Sequence, residues 1–259
     1  MKQKTIFTAI STQKGGVGKS TLTALAASYL DYVLGYNVAI IDCDYPQCSL
    51  YELRKREVQQ ITKNSFYKQK AVTFFQTIGK QPYPIICSKP EEAISMAREF
   101  LNKESRTYDV VFFDMPGTIN NSGMLVTFLS MDYVFTPMYP SRIVMESTLA
   151  FISNVNELLT TRKDLTLKEI YLFWNRIDGR AKRDMLESYE KIIALLELKT
   201  LKTMIPQLVR FDKEQSSDGN EAIFLSTIFP PDKVLLKGSN IELLMDEILM
   251  ITGLKNDRK

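Results

Sequence analysis

Histidine is absent from this chain of 259 residues, and tryptophan occurs only once. Without histidine, proton transfer near neutral pH falls to carboxylates, and sites that use imidazole as a base or a metal ligand are excluded. The sequence contains no run of about 18 apolar residues, so no membrane-spanning helix is predicted. Because the first four residues lead directly into a β-prone stretch, we expect neither a signal peptide nor membrane attachment.

Cysteine is also scarce. Cys43, Cys48 and Cys87 are an odd number and form no Cys-x-x-Cys pair. Such usage is typical of a reducing compartment in which the thiols are buried or idle. We therefore expect a cytoplasmic protein.

Short apolar runs without polar alternation recur along the chain, separated by stretches of helical character. This order favours right-handed crossovers and a parallel sheet buried on both faces. The predicted fold class is α/β, with a doubly wound, mostly parallel sheet flanked by helices. With 45% apolar residues and no linker rich in glycine or proline, residues 1–259 are expected to form one domain.

Residues 14–21 read Lys-Gly-Gly-Val-Gly-Lys-Ser-Thr and lie between a β-prone stretch and a helical one. This context predicts a phosphate loop, because backbone N–H groups and a helix N-terminus bind phosphate oxygens. In this interpretation Lys19 reaches the β- and γ-phosphates and the Ser20 hydroxyl ligates Mg²⁺. The residues predicted to bind the nucleotide here are Gly15, Gly16, Val17, Gly18, Lys19, Ser20 and Thr21.

Two further apolar runs end in carboxylates. Residues 38–42 lead to Asp42 and Asp44, and residues 108–113 lead to Asp114. Acidic residues at the carboxyl ends of parallel strands lie where open α/β sheets bind ligands. We expect Asp114 to hold Mg²⁺ opposite Ser20. The alternative is a set of solvated aspartates that only cap strand ends.

The strict phosphate-loop pattern has a glycine five residues before Gly18, where this chain has Gln13, and a second lysine, Lys14, follows. This resembles the deviant Walker A box, Lys-Gly-Gly-x-Gly-Lys-Ser/Thr, of the ParA/MinD ATPases, in particular the ParA partition proteins. The resemblance implies a P-loop NTPase fold, ATP and Mg²⁺ as cofactors, and ATP-dependent homodimers. In such a dimer Lys14 reaches the nucleotide held by the partner subunit.

The segment after the first two aspartates is similar to the family's Asp-x-Asp-Pro-Gln box, with Tyr45 inserted after Asp44. The resemblance implies that Asp44 orients or activates the attacking water and that Asp42 lies near the Mg²⁺ shell. The catalytic residues implied are therefore Lys14, Lys19 and Asp44. The insertion of Tyr45 leaves the geometry of the turn open.

Two later positions resemble family contacts to the base. Asn175, after an apolar strand, matches a position that contacts adenine, although asparagine in a turn more often bonds its own backbone. Pro206 lies in a segment similar to one that packs on the base, where Gln207 and Leu208 replace the family's arginine and asparagine. Residues 50–106 carry no family motif.

Net charge is only +3, but basic residues form two clusters. The first comprises Arg54, Lys55, Arg56, Lys63, Lys68 and Lys70; the second comprises Arg176, Arg180, Lys182 and Arg183. If one face gathers such residues, they bind phosphates of any sequence, and Arg180, Lys182 and Arg183 are our candidate DNA contacts. The alternative is an ordinary solvated helix face.

The stretch 241–254 is amphipathic but acidic, which favours core packing over binding to anionic lipid.

The function predicted is a slow, partner-stimulated ATPase that dimerises with ATP and binds DNA non-specifically, and so is nucleoid-associated. It would partition a plasmid, chromosome or conjugative element together with a centromere-binding or other stimulating protein. The same core could instead serve a MinD-like or cargo-positioning scaffold without DNA binding. A third class is a metabolic enzyme similar to dethiobiotin synthetase.

Overall fold

The computed structural model describes residues 4–119, 121–178, 183–212, 214 and 222–254, without the side chains of Arg183 and Asp212. Its strands are β1 (Ile6–Ile10), β2 (Val38–Asp42), β3 (Ile85–Cys87), β4 (Val110–Asp114), β5 (Tyr133–Met138), β6 (Glu169–Trp174) and β7 (Lys199–Thr200). They form one sheet in the order β3-β2-β4-β1-β5-β6-β7, and every pairing is parallel. The predicted α/β fold is confirmed.

Helices connect these strands. They are α1 (Lys19–Ser28), α2 (Ser49–Lys63), α3 (Ser65–Ile78), α4 (Ala93–Lys103), α5 (Ser122–Leu129), α6 (Arg142–Thr161), α7 (Arg183–Leu195), α8 (Lys233–Leu236) and α9 (Ile241–Thr252). A π-helical segment, Tyr29–Val33, extends α1. The 3₁₀ turn Pro90–Glu92 leads into α4, and a second 3₁₀ turn, Val209–Asp212, lies between β7 and α8. The stretch without a motif, 50–106, therefore folds as α2, α3, β3 and α4.

The sheet is buried on both faces, which explains the unbroken apolar runs of its central strands. In β4, Val110 and Phe112 pack in the core on one face, whereas Val111 and Phe113 pack in the core on the other face. All four are at most 1% exposed. A strand that alternates between two cores needs apolar residues at every position, and this is the pattern of residues 110–113.

The chain reverses its direction of strand addition at β1. Strands β2, β3 and β4 lie on one side of β1, and β5, β6 and β7 lie on the other side. Connections that leave β1 and its neighbours therefore diverge and open a crevice at the carboxyl ends of the central strands. The phosphate loop follows β1 at this edge.

Helix α9 supports the core-packing interpretation of the C-terminal stretch. Ile241, Leu244, Met245 and Ile248 are at most 2% exposed and belong to the same core as β1 and α1. Among the residues with described positions, no helix is long and apolar enough to cross a membrane.

Candidate nucleotide-binding site

The phosphate loop joins β1 to α1 through backbone conformations that favour glycine. Gly16 and Gly18 have φ of 75° and 85°, in the left-handed region where a Cβ atom is unfavourable. Gly117, after β4, approaches the loop so closely that a Cβ atom there would lie 3.0 Å from the Gly15 Cα. The glycines thus allow two loops to meet at the start of α1.

Lys19 turns back into this loop. Its Nζ donates to the Lys14 carbonyl at 3.1 Å, and the residue is 8% exposed. Burial lowers the pKa of Lys19, while the nearby carboxylates of Asp114 and Asp44 act in the opposite direction. The Lys14 ammonium has no hydrogen bond or ion pair among the residues placed by the structure. The loop therefore offers one enclosed cation and one unpaired cation.

Asp114 ends β4 and is fully buried. Burial raises its pKa to about 7, and the Ser20 hydroxyl and the Lys19 ammonium partly offset that rise. Neither carboxylate oxygen has a well-formed hydrogen bond from any described group. A buried carboxylate without a partner, beside a hydroxyl, suits a hard divalent cation that binds oxygen ligands. Ser20 and Asp114 thus fit the Mg²⁺ that accompanies a bound nucleotide.

Asp42 has a different environment from the one expected. One carboxylate oxygen accepts from the backbone N–H groups of Leu50 and Tyr51, at 2.9 and 3.0 Å, and the other accepts from that of Asp44 at 3.3 Å. Burial raises the pKa of Asp42, and these N–H groups lower it. Asp42 therefore anchors the start of α2, and its place near the Mg²⁺ shell stays a prediction.

The inserted Tyr45 lies in a turn that is closed by a hydrogen bond from the Cys48 N–H to the Asp44 carbonyl, at 2.8 Å. The Tyr45 side chain is 55% exposed, and the peptide bond between Tyr45 and Pro46 is cis. Asp44 is half-buried and lies close enough to Lys19 to raise that lysine's pKa. The insertion thus leaves the Asp44 carboxylate near the phosphate loop.

The expectation of idle thiols is wrong for two of the three cysteines. Cys48 and Cys87 are joined by a disulfide, while Cys43 is free and buried. The disulfide could not be predicted from the sequence, because 39 residues separate the two cysteines. The pairing arises because Cys87 is aligned with Asp42 in the β2–β3 register, next to the turn that ends at Cys48.

A cavity of about 450 Å³ opens beside the phosphate loop. It is lined by Gly18, Thr21, Asn175, Arg176, Gln207 and Leu208, among others. Asn175 is 3% exposed, and its Nδ2 donates to the Val17 carbonyl at 2.7 Å. The side chain of Asn175 thus fixes the loop to β6 instead of bonding its own turn. The contacts of Asn175 and Pro206 with a base stay predictions.

Arg176 is a site residue that sequence reasoning counted only as part of a basic cluster. Its guanidinium donates to the Gly16 carbonyl at 2.7 Å, and its φ of 56° is unusual for a residue with a side chain. Its position directly after Asn175 was the available signal. Arg176 and Asn175 together bind the phosphate loop to the end of β6.

The first basic cluster is not one solvated face. Arg54 is half-buried and donates to the hydroxyl and carbonyl of Thr227 and to the Tyr83 carbonyl. In contrast, Lys63, Lys68 and Lys70 are exposed on α2 and α3. Of the second cluster, Arg180 and Lys182 lie outside the described residues. Arg183 begins α7, and its side chain also lies outside them.

Comparison with known proteins agrees with this geometry. The sequence matches the family described as the CobQ/CobB/MinD/ParA nucleotide binding domain over residues 8–220. A search of curated proteins finds no match. Members of the ParA/MinD group bind ATP with Mg²⁺, and the solved structures that match include complexes with AMPPNP and with Mg-ADP.

Three solved structures illustrate the similarity of fold. The complex of an McdA variant with ATP, from Cyanothece, has a TM-score of 0.62 and 14% identity, with 98% of each chain covered. A putative plasmid partition protein from Borrelia burgdorferi, bound to AMPPNP, has a TM-score of 0.58 and 19% identity, with 94% of this chain and 98% of that chain covered.

MinD from Pyrococcus horikoshii, complexed with Mg-ADP, has a TM-score of 0.58 and 17% identity, with 99% of this chain and 100% of that chain covered. At these identities the structures establish the fold. The family match, which spans most of the chain and includes the phosphate loop, establishes more: this chain belongs to the CobQ/CobB/MinD/ParA family of nucleotide-binding domains.

Proposed function

We propose that this protein is an ATPase that dimerises on binding ATP, binds DNA without sequence specificity and partitions a plasmid, chromosome or conjugative element. The observation that carries the catalytic part is the convergence of Lys19, Asp44 and Asp114 at one edge of the sheet. The plasmid partition protein among the similar structures supports the biological part.

Each side chain of this group has a separate task in the proposed reaction. Bound Mg²⁺ supplies charge neutralisation on the phosphate oxygens. The loop N–H groups and Lys19 bind the phosphates, and Asp44 orients the attacking water. Phosphoryl transfer depends mainly on positioning and charge, which suits a site without histidine.

The surface position of the phosphate loop supports dimerisation across it. Gly15 and Gly16 are exposed at the tip of the loop, and the Lys14 ammonium is unpaired within the described chain. A second subunit can therefore approach the loop without displacing packed side chains. In the dimer, Lys14 of each subunit contacts the nucleotide of its partner.

A scaffold function without DNA binding is the second candidate. A MinC:MinD cell division protein complex from Aquifex aeolicus is among the matching structures, with a TM-score of 0.51 and 20% identity over 79% of this chain and 83% of that chain. In that case the ATP-bound dimer would recruit a protein partner. The two candidates share the site and differ only in what the dimer binds.

DNA binding separates them. Retention of the protein on random-sequence DNA is measured with ATP, with ADP and without nucleotide, with Lys19→Ala as the control that cannot form the dimer. We expect retention of the wild type with ATP alone. An ATP-dependent dimer that is not retained on DNA would contradict the partition function and favour the scaffold function.

The location of the protein in the cell is tested separately. We propose a cytoplasmic protein that associates with the nucleoid in its ATP form and is released when a centromere-binding or other partner stimulates hydrolysis. A fluorescent fusion should overlap the nucleoid, and the Lys19→Ala fusion should be diffuse. A wild-type fusion that stays diffuse would contradict nucleoid association.

A further inference from the structure

Two cysteines that are distant in sequence meet beside the loop that carries Asp44. The Cα atoms of Cys48 and Cys87 are 5.7 Å apart, within the usual range for a disulfide. Cys48 directly precedes α2 and is 2% exposed. Cys87 ends β3, the edge strand, and is half-buried. The pair therefore links the Asp44 loop to the edge of the sheet.

The loop from Cys43 to Cys48 is held by backbone hydrogen bonds and by the disulfide. The Cys43 N–H donates to the Asp114 carbonyl at 2.9 Å, and the Cys48 N–H closes a turn onto the Asp44 carbonyl at 2.8 Å. The disulfide ties the far end of the turn to Cys87. Reduction leaves these hydrogen bonds in place and removes the covalent constraint. The constraint acts within four residues of Asp44.

We propose that Cys48 and Cys87 form a redox site that sets the mobility of the Asp44 loop and, through it, the rate of ATP hydrolysis. The part of this inference that concerns rate rests on the proposed function. A carboxylate that orients water is effective only when it is held in place, because small displacements of a positioning group slow the reaction strongly. The oxidised protein is then the faster ATPase.

The reaction partner is a low-molecular-weight disulfide of the glutathione class. The Cys87 thiolate, which is the more exposed, attacks one sulfur of this reagent, whose S–S bond breaks and releases one thiolate. The Cys48 thiolate then attacks the Cys87 sulfur, which forms the protein disulfide and expels the second thiolate. Two electrons pass from the protein to the reagent, and the two cysteine protons end on the released thiols.

Cys43 provides an internal comparison. It lies between Asp42 and Asp44 and is fully buried. A thiol to which a dissolved reagent has no access reacts slowly. Cys43 should therefore stay reduced under conditions that oxidise the pair.

Thiol counting tests the chemistry. The full chain is equilibrated with oxidised or reduced glutathione, unfolded in an alkylating reagent and weighed by mass spectrometry. We expect one alkylated cysteine in the oxidising buffer and three in the reducing buffer. The double variant Cys48→Ser/Cys87→Ser should give one in both buffers. Three alkylated cysteines in every buffer would overturn the proposal.

Two measurements then test the consequence. Amide hydrogen exchange at residues 44–52 should be slower in the oxidised protein, because the tether suppresses local opening. Reduction should lower kcat for ATP by about tenfold and leave the Kd for ATP unchanged, since the disulfide does not include the phosphate loop. The double-serine variant should match the reduced protein in every buffer.

The outcomes are distinguishable. Equal exchange in the two forms, with the disulfide present, would show that the pair does not control the loop and would overturn the inference. Equal kcat with unequal exchange would overturn its control of rate. If neither form hydrolyses ATP, the proposed function fails, and hydrogen exchange alone decides whether the redox site controls the loop.

Discussion

At the scale of single residues, the two lysines of the phosphate loop have different surroundings. Lys19 is enclosed and bonded to the loop backbone, whereas the Lys14 ammonium lies unpaired within the described chain. The enclosed Lys19 is placed to bind a nucleotide in its own subunit, and the unpaired Lys14 is free to bind a nucleotide held by a partner subunit. This difference leads to the first prediction.

Lys19→Ala should abolish ATP binding, because the loop loses the cation that contacts the β- and γ-phosphates. Lys14→Ala should retain ATP binding and lose the ATP-dependent dimer. Isothermal titration measures the first property, and light scattering with ATP measures the second. Normal dimerisation of Lys14→Ala would exclude the role across the dimer interface.

Asp44→Ala should bind ATP, dimerise and hydrolyse it at least about 100-fold more slowly, since a positioning group is lost while the phosphate contacts remain. Phosphate release measures the rate, and light scattering should show a longer-lived dimer. Tyr45→Ala is the matched control, because that side chain is exposed. If Asp44→Ala releases phosphate as fast as the wild type, Asp44 does not act in hydrolysis.

At the scale of elements, α2 is held at two points along its length. Asp42 binds the first N–H groups of the helix. Further along the helix, Glu57 is 2% exposed and accepts from the Thr227 N–H at 2.9 Å and from the hydroxyls of Ser226 and Thr227. These contacts fix α2, and with it the Asp44 loop, to the rest of the domain.

Asp42→Ala separates helix anchoring from metal binding. It should lower the free energy of unfolding by about 1–3 kcal/mol, because the N–H groups of Leu50 and Tyr51 lose their acceptor. Asp42→Asn keeps an acceptor oxygen and should cost less. Denaturant titration checks the stability. If Asp42→Asn retains its stability but loses the Mg²⁺ dependence of ATP binding, Asp42 belongs to the metal site as the resemblance implies.

Glu57→Ala should lower the free energy of unfolding by about 3 kcal/mol or more, since Arg54 would keep a partly buried charge near the emptied site. Arg54 donates to the Thr227 carbonyl at 2.6 Å, so it cannot leave without breaking further bonds. Denaturant titration measures the change, with exposed Glu52→Ala as the control. An equally small effect of both variants would contradict the structural role of Glu57.

At the scale of the whole molecule, the proposed dimer would place two copies of each basic cluster on one assembly. Two linked weak sites raise the effective concentration for DNA, so binding should need ATP. One arginine of each cluster, Arg54 or Arg176, is bonded within the chain. Arg180, Lys182 and Arg183 stay our first candidates for DNA contact, and the exposed Lys63, Lys68 and Lys70 are the second.

Charge reversal of Arg180, Lys182 and Arg183 to Glu should abolish retention on random DNA and spare ATP-dependent dimerisation. Each phosphate contact removed should reduce the slope of log K against log salt by about 0.9, equally for all sequences. Reversal of Lys63, Lys68 and Lys70 is the matched control. Loss of DNA binding in that variant alone would move the surface to α2 and α3.

The sequence by itself determined the fold class, the phosphate loop and the three strand-end carboxylates. These features are readable because they are local: burial on both faces demands apolar runs, and a loop that binds phosphate needs glycines at set spacings. The same locality explains why α9 was correctly placed in the core. Its apolar spacing and acidic polar face lie within twelve residues.

Only the tertiary structure decided how distant residues are paired. The Cys48–Cys87 disulfide, the anchoring of α2 by Asp42 and the attachment of Arg176 to Gly16 each join segments that the sequence does not connect. Arg54 is the clearest example. In the sequence it belongs to a basic cluster that could bind DNA, but in the folded chain it donates hydrogen bonds to Thr227, which is distant in sequence. Strand register and helix packing set these partners, and neither is encoded in a short window of sequence.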